Sequence, residues 1–219
     1  LHHASGFRAY LELNSAHVND RELPGGTRVI DENQLEPFQA FVEQSFDLGP
    51  GRASVRIGRQ SLQFGRQRLV SPLPWGNAWR QWEGVFARYL VERWRVDGFW
   101  SEFIPVDADE FDEGQGEYLY GLHGSRKSGP DTLDVYLFGV DRQDSAFNGT
   151  AGDEQRMTLG TRHARSPKPG ELDWDVEVAY QFGDLGGSDI TRPNATGDVE
   201  RVEPNFVNGY ARMPGRIVV

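Results

Sequence analysis

The eleven residues Leu172-Asp173-Trp174-Asp175-Val176-Glu177-Val178-Ala179-Tyr180-Gln181-Phe182 alternate without a break. Leu172, Trp174, Val176, Val178, Tyr180 and Phe182 fall on one face; Asp173, Asp175, Glu177, Ala179 and Gln181 fall on the other. Successive strand side chains point to opposite faces, so a period of two over this length predicts one strand about 35 Å long. That is roughly twice the usual globular strand and close to what a tilted strand needs to cross a bilayer. The two faces therefore meet different media.

The same pattern recurs outward from this stretch. Phe7, Ala9, Leu11 and Leu13 alternate with Arg8, Tyr10 and Glu12; Phe38, Ala40 and Val42 alternate with Gln39, Phe41 and Glu43; Ala53, Val55 and Ile57 alternate with Ser54, Arg56 and Gly58. Further strands are predicted at 82–91, 93–103, 117–126, 132–142 and 156–164, which brings the count to about nine. Short turn signals rich in Gly and Pro lie at 48–51, 128–131 and 167–170, where tight hairpins are expected. Long polar connections lie at 14–36, 62–81, 104–116 and 144–155. Short and long connections thus alternate along the chain. An up-and-down barrel with turns at one end and loops at the other produces this alternation, whereas a Greek-key sandwich does not. The expected fold is all-β: part of an antiparallel up-and-down transmembrane β-barrel, about 9–10 strands of a larger one. Residues 1–219 form a single domain in this view, incomplete at its C-terminal side, with 184–204 a long loop or disordered segment and a further strand at 206–213.

Composition narrows the class. The 219 residues carry 23 basic and 33 acidic side chains, a net charge of −10, which argues against a nucleic-acid partner. Aromatic residues reach 12 %, with 13 Phe, 7 Tyr and 6 Trp, too many large rings for a disordered chain. There is no cysteine, which excludes a disulfide framework, a thiolate metal site and a cysteine nucleophile. No run of about 18 apolar residues occurs, so no transmembrane helix is expected, and this says nothing against a barrel. The start, LHHASGFRAY, has neither the charged nor the apolar region of a signal peptide.

If the apolar faces meet lipid, Arg8, Glu12, Arg56, Arg88, Asp173, Asp175 and Glu177 face a wet, charged lumen. Trp82, Trp94, Phe103, Tyr118 and Trp174 lie near strand ends, where aromatic girdles sit at headgroup depth. The alternative is that these rings fill the core of a soluble sheet.

The stretch Val55-Arg56-Ile57-Gly58-Arg59-Gln60-Ser61-Leu62-Gln63-Phe64-Gly65, followed by Arg68-Leu69-Val70-Ser71-Pro72, resembles the alginate-export family of Gram-negative outer-membrane β-barrels. Arg80 and Trp82-Glu83-Gly84-Val85 resemble the family's next strand, and the similarity runs from Phe38 to Phe182. The resemblance implies a channel in the Gram-negative outer membrane that passes an anionic uronate polysaccharide outward through an arginine-rich lumen. This chain would cover about half of such a barrel. Outer-membrane lipid, an anionic polysaccharide or oligosaccharide, and periplasmic export proteins are the partners implied. Guanidinium suits the task on its own chemistry, since it binds carboxylate bidentately and stays charged at any relevant pH. Arg56, Arg59, Arg66, Arg68, Arg80 and Arg88 are the candidate lumenal, anion-binding residues. Their alternative role is to pair with lumenal Asp and Glu and only stiffen the wall. Much of the excess acid sits in predicted loops, at Asp107, Asp109, Glu110, Asp112 and Glu113 and at Asp198, Glu200 and Glu203, where it does not set the lumenal potential.

No metal, cofactor or catalytic residue is expected. The 107–113 cluster lacks the spacing of a calcium loop, and His123 and His163 are lone strand histidines with no evident ligand partner. No G-x-S-x-G, H-E-x-x-H or P-loop signature occurs. Two other functions fit the same strands: a porin for small anions, and a soluble secreted β-sheet protein that binds or cleaves carbohydrate. The soluble protein would have to bury the Leu172–Phe182 apolar face under a second sheet.

Overall fold

In the computed structural model, residues 5–19, 28, 31–108, 110–147, 150–166, 169, 172–189 and 207–212 are described. Nine long strands dominate: β1 Phe7–Ala16, β2 Asn33–Leu48, β3 Gly51–Gln60, β4 Gln81–Val91, β5 Trp94–Ile104, β6 Tyr118–Ser128, β7 Asp131–Phe147, β8 Thr150–Arg165 and β9 Asp173–Leu185. Two short ones follow, β10 Ser188–Asp189 and β11 Val207–Arg212, both paired antiparallel with β9. The nine lie in one sheet in sequence order, so the topology is up-and-down. No helix occurs among the described residues, and none is long and apolar enough to cross a membrane.

Each of the nine predicted strands coincides with an observed one, those at 93–103, 117–126 and 172–182 beginning one residue before it. The turns differ in kind from the loops, as expected. Residues 49–50, 92–93 and 129–130 are two-residue hairpin connections whose first residue takes a positive φ, at Gly49 (55°), Glu92 (52°) and Gly129 (60°). That backbone twist matches the twist of the flanking strands. The turn predicted at 167–170 lies mostly outside the described residues, as does most of 184–204.

One connection is corrected. Residues 144–155 do not form an irregular loop: β7 and β8 continue pairing through Ser145↔Gly152, Ala146↔Ala151 and Phe147↔Thr150. A bulge between Arg142 and Ser145, with Asp144 at φ 52°, absorbs the irregular polarity that broke the period. Backbone hydrogen bonding outlasts side-chain alternation in this hairpin. At 17 residues β7 extends about 56 Å, well past a bilayer core. Likewise β2 begins at Asn33, earlier than predicted, and its register slips between Glu12 and Leu13 of β1, where Pro37 sits opposite. Proline is tolerated in strands at such irregularities.

Two compact units divide the chain, one of Leu1–Ala87 with Phe99–Glu117 and one of Arg88–Gly98 with Tyr118–Val219. In both, polarity is inverted relative to a soluble sheet. In the first, Leu11 (66 %), Leu13 (55 %), Val42 (46 %) and Ile57 (54 %) are exposed, while Glu36 and Gln60 are buried. In the second, Leu122, Val135, Leu159, Val176, Val178 and Tyr180 are exposed, while Asp97, His123, Asp134, Arg162, Asp175 and Glu177 are buried. Burying so many charged groups unpaired would cost several kcal/mol each, so the fold must pair them.

The first unit also holds an apolar cluster. In the 61–80 connection Leu62, Phe64, Val70 and Ala78 are buried, and the Phe64 ring stacks 5.0 Å from Phe99 and 6.4 Å from Phe86. Phe86 is two residues from Arg88 and Phe99 two from Asp97, so both rings stand on the charged faces of their strands. The 61–80 connection therefore folds inward over that face. In the second unit, Gly160 lies directly opposite Tyr136 and the tyrosine ring covers it. A Cβ at Gly160 would meet that ring, which also donates its hydroxyl to Glu177 Oε1 at 2.8 Å.

Candidate functional site

The charged face of the first unit is built by register. Arg8, Glu43 and Arg56 sit directly opposite one another on β1, β2 and β3. Arg56 donates to Glu43 Oε2 from Nε (3.0 Å) and Nη2 (2.7 Å), and Arg8 Nη2 lies 3.4 Å from Glu43 Oε1. Both guanidiniums also pack on Phe41, at 5.1 Å for Arg8 and 4.1 Å for Arg56. The next rungs carry Tyr10, stacked 5.2 Å from Phe41, and Glu12, which accepts from Gln39 Nε2 at 2.8 Å.

Arg59 lies three residues beyond Arg56 and so points to the opposite face. It stands at the long-loop end, 6 % exposed, and donates Nε to Glu83 Oε1 (2.7 Å), Nη1 to the Pro37 carbonyl (3.3 Å) and Nη2 to the Asp112 carbonyl (2.7 Å). Its guanidinium also lies 3.6 Å from Glu36 Oε2 and 5.2 Å from the Phe111 ring. Arg59 thereby fastens the 105–117 connection to the ends of β2, β3 and β4. Beside it, Asp112 and Glu36 share Asn33, whose amide nitrogen donates to Glu36 Oε1 (2.5 Å) and Asp112 Oδ2 (3.2 Å). Burial and the neighbouring Glu36 carboxyl raise the Asp112 pKa to about 7.

Arg66 is exposed and Arg68 half-buried on the infolded 61–80 connection, each with interactions of its own. Arg80 is exposed at the foot of β4, its guanidinium 6.0 Å from the Phe103 ring. Arg88, in the second unit, donates Nε to Asp97 Oδ1 at 2.7 Å. Arg56 stands on a charged strand face of the first unit and Arg88 on one of the second, Arg66 and Arg68 on a connection, and Arg59 and Arg80 at strand ends.

A larger lattice in the second unit was not singled out from sequence. Asp97, with no solvent exposure, lies between Arg88 and Arg95, whose Nε is 2.9 Å from Asp97 Oδ2. The His123 ring stands between Asp97 Oδ2 (4.0 Å) and Asp134 Oδ1 (3.8 Å). Arg162 donates to Asp134 Oδ2 (2.7 Å) and forks onto both oxygens of Asp175, at 2.7 and 2.8 Å. Nearer the β7–β8 end, Glu154 accepts from Arg142 (2.6 Å) and Ser145 (2.8 Å), and Arg156 Nε lies 3.2 Å away. Acid and base alternate from strand to strand. The only sequence signals were the polar alternation at Asp173, Asp175 and Glu177 and the spacing of Arg156 and Arg162 on one strand face. Among the described residues no group of three or more His, Asp or Glu is arranged to hold a metal ion.

Strands of bilayer-crossing length, an exposed apolar face and a buried charged face together define the wall of an outer-membrane β-barrel. The chain belongs to the alginate-export family, whose description, Alginate export, matches residues 1–211. No curated protein and no protein of solved structure matches it.

Proposed function

We propose that this chain forms part of the wall of an outer-membrane channel that passes an anionic uronate polysaccharide, with its charged face toward the lumen. The observation that carries this reading is the inverted polarity. Leu159 (51 %), Val178 (48 %) and Tyr180 (48 %) are exposed on one face of β8 and β9, while Arg162, Asp175 and Glu177 are buried on the other. The soluble alternative needs that apolar face covered. Within this reading 1–219 is one barrel domain, and the described strands are a section of its wall.

Each wall guanidinium described above is already tied to a carboxylate, and that is how it can serve a polyanion. A passing uronate offers the same fork-shaped acceptor as Glu43 or Asp97, so Arg56 and Arg88 can exchange one carboxylate for another at small net change. Conduction requires many such sites of weak affinity and none that holds the chain tightly. Arg66 and Arg68, carried by the infolded 61–80 connection, add charge where that connection narrows the passage. Arg59 and Arg80 act at the long-loop end, where Arg59 fixes the 105–117 connection at the mouth.

The test is single-channel recording of the intact protein in planar bilayers. Ion conductance that a short oligomannuronate blocks in a concentration-dependent way supports the reading. Soluble protein that never inserts, or channels indifferent to the oligomannuronate, would contradict it.

A further inference from the structure

The inner face of β1 and β2 carries a feature that charge alone does not explain. The rings of Phe41, Phe86, Phe99, Tyr136 and Phe138, all on charged faces, are buried at 5–8 % exposure. Tyr10, on the same face as Arg8 and Glu12, is 42 % exposed. Its ring is backed by Phe41 at 5.2 Å with an interplanar angle of 21°, so it is held flat. Its hydroxyl donates to Glu12 Oε2 at 3.0 Å, and Gln39 donates to the same oxygen at 2.8 Å. Arg8, one rung away, has a side chain 29 % exposed, and its Nε has no hydrogen-bond partner among the described residues. Among the described residues its one ion pair, to Glu43 at 3.4 Å, is the longer of the two that Glu43 makes.

A flat aromatic ring open on one side and ringed by Arg, Glu and Gln is the chemistry that recognises a pyranose. The C–H face of the sugar packs on the electron-rich ring face, while hydroxyls and carboxylate reach the polar groups at its edge. We propose that Tyr10, backed by Phe41, is a stacking subsite for one ring of a uronate chain, with Arg8 taking the sugar carboxylate and Glu12 and Gln39 its hydroxyls. This rests on the conduit reading above and adds to it a step at which the sugar ring, as well as its charge, is held.

The test uses the intact protein in planar bilayers, with short oligomannuronate and a neutral malto-oligosaccharide of equal length as probes. Tyr10→Leu is expected to weaken oligomannuronate block about tenfold. Tyr10→Phe is expected to keep the block. Arg8→Gln, which leaves the ring in place, is expected to weaken block by oligomannuronate but not by the neutral probe, and gives an independent answer if Tyr10→Leu does not insert. Block by oligomannuronate that survives Tyr10→Leu, or that Tyr10→Phe abolishes equally, overturns the subsite with the conduit intact. A parent protein with no conductance at all overturns both.

Discussion

Arg162 holds two carboxylates from two neighbouring strands with three donors at 2.7–2.8 Å, all three side chains at most 8 % exposed. Such a pair adds little net stability over an apolar replacement of all partners, yet removing one member strands the others. Arg162→Leu is therefore expected to destabilise the folded protein by about 3–5 kcal/mol, measured by urea unfolding in micelles. Arg162→Lys should recover only part of this, since a point charge cannot reproduce the fork. Arg56→Glu is expected to lower anion-over-cation selectivity, read as a shifted reversal potential, because it sets a second carboxylate opposite Glu43 on the wall. Arg59→Glu, on the other face, should leave the reversal potential near the parent value and loosen the 105–117 connection. Arg56 was legible in the sequence because motif and parity marked it. Arg162, Asp134 and Asp97 were not, since their ion pairs depend on a cross-strand register that local pattern does not specify.

At the scale of elements, the 105–117 connection depends on pH. Asp112 titrates near 7 in the folded protein, against about 3.9 in an unfolded chain, and lies in a connection outside the spanning strands. Between those values the folded state keeps a proton that the unfolded state has lost, so docking is strongest at low pH. It weakens as pH rises toward about 7 and changes little above it. The protection factor of the Asp112 amide, which donates to Glu36 Oε2 at 3.0 Å, should fall over that range once the intrinsic pH dependence of exchange is divided out, and Asp112→Asn should remove that fall. A flat profile in the parent would contradict this. The nine strands were legible because their period is imposed by two media. The β7–β8 extension was not, because beyond the bilayer only backbone pairing holds it. The infolding of 61–80 was also hidden, since Phe64 in a polar stretch carries no signal of which face receives it.

For the whole molecule, the account requires that the apolar faces contact lipid along their full length. Val176→Arg places a charge on that face and should lower insertion by about 2–4 kcal/mol if Val176 lies near the midplane, seen as loss of the heat-modifiable band in detergent gels. The absence of cysteine from these 219 residues permits the most direct test. Single cysteines at Leu159, Val176 and Val178, and at Ser54, Gln39 and Gln181, are reconstituted in bilayers and exposed to a charged, membrane-impermeant thiol reagent. The account predicts labelling at Ser54, Gln39 and Gln181 and protection at Leu159, Val176 and Val178, the latter reacting only with a bilayer-soluble reagent. Labelling of the apolar set by the charged reagent, with the polar set protected, would contradict it.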